Sequence, residues 1–335
     1  MRRPPTGALL GILAAASLAT LLLAPMYGSE PIRSVSAFGE LIGTDRVQWS
    51  EDARILYVRL PRVLLAWLTG GALAVCGAVM QTLLRNGLAE PYTLGVSAAA
   101  SFGAFLSIAF PQLALLGAMT SQRVTALAFA LAEVALVLGV ARRSRRADGL
   151  ILAGIIFSAL FGAGIVLVKY LADPYLYQNM DRWLMGSLEA VTFSAPLSLL
   201  PWIAAGAALV AASARPLDFL AFDTELAAAR GMRPERAQTL ALAGASIMTA
   251  AVVAHSGPVG FIGLLVPHAL RPFTGLRHGV LLPACWLAGG GFLVLADLAA
   301  RSLPLFGRHS EMPVGILTAL IGAPFFLLLL LRRQA

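Results

Sequence analysis

The chain has 335 residues, 59% of them hydrophobic and only 13% charged, with a mean hydropathy of +0.81. A soluble domain carries about 25% charged residues, so this composition excludes a soluble globule and predicts one all-α integral membrane domain over 1–335. The net charge of +8 does not point to nucleic acid. The basic residues form no stripe with interleaved aromatics, and most lie between apolar segments, where they set membrane orientation.

In chain order, Arg2 and Arg3 precede an apolar run longer than a secretory h-region and without a small-x-small cleavage site. The sequence therefore predicts an uncleaved first span near 8–27. Residues 28–57 follow as an external loop with a surface helix around Val35–Ile42. The second span, near 60–83, starts on Arg59 and Arg62 around Pro61. It is rich in small residues (Gly70, Gly71, Ala72, Ala74, Gly77, Ala78), as in helices that approach closely inside a membrane. A polar turn from Gln81 to Pro91 ends it. Further spans are expected near 93–110, 114–140, 150–171, 194–213, 236–255, 257–272, 279–299 and 312–331, about ten in all. The third and eighth are short and rich in Gly and Pro. An even count puts both termini on one side. Fifteen of the 25 basic residues fall on that side and ten on the other, which predicts cytoplasmic termini.

The longest internal connection is 214–235. It reads as short amphipathic helix pieces, with Asp223 or Thr224 as a cap and Gly231 as a terminator. Such a segment is either a docking surface for a partner or a solvated connector.

The motifs missing from the sequence narrow the chemistry. Lys169 is the sole lysine and sits in IVLVKY, so there is no phosphate-cradling GxxxxGK[ST] loop. GxSxG, HExxH and a Cys/His zinc cluster are absent too. The expectation is a non-catalytic chain with no metal site and no cofactor of its own. Cys76 and Cys285 lie in apolar segments and read as packing residues. His255, His268, His278 and His309 lie at span ends and read as satisfied or solvated. Ionisable residues inside spans are costly and few. Glu133 either faces the bundle or lines a path. Asp297 and Arg301, four apart, can pair on one helix face. Lys169 can reach the interface. No chain of carboxylates crosses the membrane, which weighs against an ion-coupled secondary transporter. No cluster of acids and histidines supports a membrane-embedded enzyme.

Several long segments carry a resemblance, in order: RLPR (Arg59–Arg62), the small-residue helix through Gln81, LLRNGLAEPYTLGVSA (Leu83–Ala98) and WLMGSL (Trp183–Leu188). They continue with SGPVGFIGLLVPHALRPFTG (Ser256–Gly275), GVLLPACWLAGGGFLVLADLAAR (Gly279–Arg301) and EMPVGILTALIGAPFFLLLLLRR (Glu311–Arg333). Together they resemble the FecCD/BtuC-like permease subunits of ABC importers for iron chelates, haem and cobalamin, over roughly residues 10–333. Two positions depart from the family pattern. Gly87 stands where proline usually follows the asparagine, and Ala98 where glycine usually follows the serine.

The resemblance implies a type II ABC importer permease of ten helices. It also implies a dimer with the path at the subunit interface, two cytoplasmic ATPase subunits that hold ATP and Mg, and a periplasmic substrate-binding protein, all in a bacterial inner membrane. By resemblance, Arg59, Arg62 and Arg301 meet acidic residues of the binding protein, with a lipid phosphate as the competing partner. Their expected position at a helix N-terminus, where the macrodipole disfavours cations, calls for such a counter-charge. Glu225, Ala227, Ala228 and Gly231, in TELAAARG, correspond to the segment that couples to the ATPase. The fifth and tenth helices line the path, which here offers Gly154, Ser158, Gly162, Gly315, Thr318 and Gly322.

Overall fold

The computed structural model describes residues 5–28, 30, 32, 34–43, 48–110, 122–143, 147–176, 181, 183–221, 233–302 and 311–333. Among these, eleven α-helices follow one another: α1 (Thr6–Leu23), α2 (Ser36–Gly43), α3 (Glu51–Leu83), α4 (Val96–Ala109), α5 (Gln122–Arg143), α6 (Ala147–Leu171), α7 (Ser194–Leu220), α8 (Pro234–Ser256), α9 (Ile262–Thr274), α10 (His278–Ser302) and α11 (Val314–Arg333). Each expected span holds one of them, and α2 is the expected surface helix. Among the described residues, seven helices are long and apolar enough to cross a membrane. α4 and α9, the two short spans, have only 14 and 13 residues.

Two boundaries differ from expectation. α3 starts at Glu51, because Ser50 caps it (Ala53 N–H to Ser50 Oγ, 3.3 Å) and Glu51 and Asp52 suit its first turn. The helix then continues through Pro61. Arg59 and Arg62 therefore lie well inside a helix rather than at its N-terminus, and the macrodipole argument for them fails. α7 likewise runs through Pro216 to Leu220, so the first part of the expected inner connection is helical. Its later part, with Asp223, Thr224, Glu225, Ala227, Ala228 and Gly231, lies outside the described residues.

α3 is the axis of the molecule and is almost wholly buried, followed by α8 and α10, whereas α1 and α6 are largely exposed. Small residues explain the difference, since they let backbones approach. Gly70 lies against the Gly289 backbone of α10, and Gly77 against the Gly263 backbone of α9. The Cys76 thiol donates to the Ala245 carbonyl of α8 at 3.2 Å. α7 and α8 meet at Gly206 and Gly244 in the same way. On α6, Leu152, Ile155, Ile156 and Leu160 point outward, as a bilayer or a second subunit requires.

Candidate functional site

The three arginines assigned to docking gather beside the short 3-10 turn Ala24–Met26 that ends α1. Arg62 forks onto Asp297, with Nε 3.1 Å from both carboxylate oxygens and Nη2 2.9 Å from Oδ1. Its Nη1 donates to Glu311 Oε2 at 2.5 Å. Asp297 is 1% exposed, Arg62 19% and Glu311 60%. Arg301 donates to the Ala24 carbonyl at 2.8 Å and lies 3.6 Å from Asp297, the expected i,i+4 pair. Arg59 donates to the Pro25 carbonyl at 3.3 Å.

Two of these three are therefore consumed inside the chain. Arg62 and Arg301 share one buried carboxylate, and removing either partner of such a group is strongly destabilising. Their first role is to fasten α3, α10 and α1 together. Arg59 alone has no carboxylate within salt-bridge distance among the described residues. Sequence reasoning missed Glu311 and the link between Arg62 and Asp297, which are 235 positions apart.

The centre of the bundle is built from two interrupted helices. α4 begins after the 3-10 turn Pro91–Leu94 at Gly95 (φ +94°), and α9 begins after Phe261 (φ +71°). Phe261 is strained there, since L side chains rarely adopt positive φ. Polar groups of the LLRNGLAEPYTLGVSA segment hold the two breaks together. Tyr92 Oη donates to the Val259 carbonyl at 3.1 Å and accepts from the Val259 N–H at 3.0 Å. Glu90 Oε1 accepts from the Phe261 N–H at 2.5 Å, and Gln81 Nε2 donates to the Gly263 carbonyl at 3.1 Å. Burial pushes the Glu90 carboxyl up to about 7, against the opposing pull of the Phe261 N–H.

A second backbone junction explains three other motif segments. Ser187 N–H donates to the Ser256 carbonyl at 2.8 Å, and Gly315 N–H to the Gly186 carbonyl at 3.3 Å. Gly186 and Gly257 both have positive φ, and a Cβ on either would run into a neighbouring carbonyl. WLMGSL, SGPVGF and EMPVG thus meet as bare backbone against bare backbone.

This geometry divides the residues assigned to the path. Gly154 packs on Thr93 and Leu94, Gly315 on the Met185 backbone and Gly322 on the Phe261 ring. Thr318 is buried and donates to the Gly315 carbonyl at 3.1 Å. These four pack against other parts of the same chain. Gly162 has open space where a Cβ would stand, and Ser158 is half-buried.

At the Gln81 end of α3 lies a cavity of 490 Å³ lined by Gln81, Arg85, Gly87, His268, Arg271 and Pro272. Arg271 Nη2 donates to Gln81 Oε1 at 3.1 Å. His268 lies edge-on to Phe325 and Phe326. Beside it, buried His278 bridges Asp218 Oδ1 (Nδ1, 2.7 Å) and Thr82 Oγ1 (Nε2, 2.9 Å). His255 meets the Ser198 hydroxyl at 2.9 Å. Lys169, expected to reach the interface, pairs with Asp181 at 2.5 Å.

The profile of the FecCD transport family matches residues 13–332. The chain belongs to this family. It is 40% identical over 281 residues to the hemin transport system permease protein HmuU of Yersinia pestis, covering 83% of each chain. It is 38% identical over 295 residues to the cobalamin import system permease protein BtuC of Halobacterium salinarum, covering 85% of this chain and 75% of that one. Among solved structures, one described as an inward-facing conformation of a metal-chelate type ABC transporter superposes with a TM-score of 0.81 at 30% identity. That match covers 97% of this chain and 99% of the other. The chain is thus a multi-pass ABC permease, helical and without strands among the described residues, of a family whose named members include permeases for iron chelates, hemin, cobalamin and molybdate.

Proposed function

We propose that this chain is the non-catalytic permease subunit of an ATP-driven importer of a metal chelate (an iron-siderophore, haem or cobalamin). On this reading it works as a dimer in a bacterial inner membrane, with both termini in the cytoplasm. Two ATPase subunits supply ATP hydrolysis, and a periplasmic binding protein delivers the chelate. The observation that carries the reading is the family match over nearly the whole chain, supported by the metal-chelate transporter neighbour at TM-score 0.81. An ion-coupled transporter is not favoured by these relatives.

The ATPase contact is assigned to Glu225, Ala227, Ala228 and Gly231. Asp218, clamped by His278, anchors the helix that leads into that segment. Docking of the binding protein centres on Arg59, because Arg62 and Arg301 are already engaged. The path wall is assigned to Ser158 and Gly162 on α6.

The substrate is tested by isolating the binding protein encoded beside this permease and identifying its bound chelate by mass spectrometry and absorption spectroscopy. A siderophore, haem or corrinoid is expected, and a metal-free amino acid or sugar would contradict the class. Orientation is tested with a cysteine at Ser144. Labelling from the cytoplasm alone is expected, and labelling of intact cells from outside would reverse the topology.

A further inference from the structure

Glu133 sits at the middle of α5, is 0% exposed, and neither carboxylate oxygen has a hydrogen-bond partner. Its Oε1 lies 3.2 Å from the point where a Cβ on Gly95 would stand. The Gly154 carbonyl of α6 is also 3.2 Å from that point, and Phe157 Cβ is 3.3 Å from it. Gly95 is the N-cap of α4, and no side chain caps that helix. An orphaned buried carboxyl thus faces the uncapped start of an interrupted helix. The start of α4 thus lies beside the middle of α5.

Among the described residues, no counter-charge reaches Glu133. α5 packs against α4, α6 and α8. α4 has no titratable residue. α6 has Asp148 at one end and Lys169 and Tyr170 at the other. α8 has Glu235 and Arg236 in its first turn and His255 in its last, and α5 itself has Arg123, Arg142 and Arg143 at its ends. On the turn before α4, Glu90 is engaged by the Phe261 N–H and Tyr92 by Val259. The positive end of α4 supplies a fractional charge. A bare carboxylate stripped of water carries a full one, so the helix end does not replace its hydration.

We propose that Glu133 is a proton-binding site in the centre of the permease. A proton removes the buried charge and needs no space in a junction that a methyl group would already crowd. As an acid, the side chain has an O–H to donate to a carbonyl such as that of Gly154. Its remaining oxygen can accept from the N–H groups that open α4, which a helix's first turn leaves without an intrahelical partner. The site joins α5, α4 and α6, so releasing the proton would put a charge into the joint between them. The proton is therefore held while the joint is dry and lost when water enters.

The test is infrared difference spectroscopy of the full-length permease in lipid nanodiscs at neutral pH. A protonated-carboxyl C=O stretch is expected in the wild type. It should survive in Glu90→Gln, which removes the other carboxyl that titrates near neutral pH, vanish when Glu133→Gln is added to that variant, and be insensitive to sodium or potassium. Glu133→Gln, a neutral isostere, should assemble with a melting midpoint close to the wild type, whereas Glu133→Ala should melt lower. Absence of the band in Glu90→Gln, or its persistence when Glu133→Gln is added to that variant, would overturn the proposal. So would a sodium-dependent change of band or melting point, which would make the ligand a metal ion. Failure of Glu133→Gln to assemble also contradicts it, because one neutral group would have replaced another.

Discussion

At the Arg62 end of α3, two arginines converge on one buried aspartate, and a third bonds to a backbone carbonyl. At the Gln81 end, Arg85 and Arg271 border an open cavity with no carboxylate in salt-bridge contact among the described residues. The sequence shows arginine near both ends, so composition does not distinguish them. What separates them is solvent. Where α3, α10 and α1 close over the guanidinium groups, each charge needs a partner inside the protein. Beside the cavity Arg85 is exposed to solvent and Arg271 is held by the Gln81 amide oxygen, so neither depends on a carboxylate. An arginine assigned to docking is best read from its desolvation and its partners, not from its position near a membrane surface.

The contrast can be broken most severely at Asp297. Asp297→Ala strands Arg62 and Arg301 and should cost about 3–5 kcal/mol, seen as a large drop in the melting midpoint in detergent. Asp297→Asn, which keeps acceptors and loses the charge, should fall between that variant and the wild type. Equal melting of all three would mean that the cluster is not structural.

At the other end, Gln81→Leu removes the donor to the Gly263 carbonyl and leaves it unsatisfied, at a cost of about 1–3 kcal/mol. A smaller effect should follow from Glu311→Gln. Glu311 is mostly exposed, and such pairs contribute about 0.2–1 kcal/mol. The loss should shrink further in high salt, because screening acts on exposed charges. Arg85→Glu should be near neutral for stability, within about 0.5 kcal/mol. A fall in melting point comparable to Asp297→Ala would show that the cavity end is as closed as the other.

Much of the fold was legible because its cause is local. Apolar length located seven of the expected spans, and the glycines and alanines of α3 marked the helix that others approach. The surface helix at 36–43 was readable for the same reason. The start of α3 was misplaced because Ser50 and its acidic first turn lie in a stretch that reads as loop, while Pro61 suggested a boundary that the helix passes through. The site was less legible because its links are long-range. Nothing local connects Arg62 to Asp297, Glu90 to Phe261, or His278 to Asp218. The glycines assigned to the path showed a related limit. At Gly154, Gly315 and Gly322 neighbouring backbones or rings touch the chain, a contact that nothing local in the sequence shows. Tyr92 lay in a quoted motif, yet its two bonds to Val259 become visible only once the two interrupted helices meet.

The central claim is that this permease moves a metal chelate at the expense of ATP. The direct measurement is uptake into proteoliposomes that contain the permease with its neighbouring ATPase, supplied with the loaded binding protein from the same operon. Chelate should accumulate only with ATP and binding protein together, and ATP hydrolysis should rise when the loaded binding protein is added. Accumulation without ATP, driven by a proton or sodium gradient alone, would contradict the account.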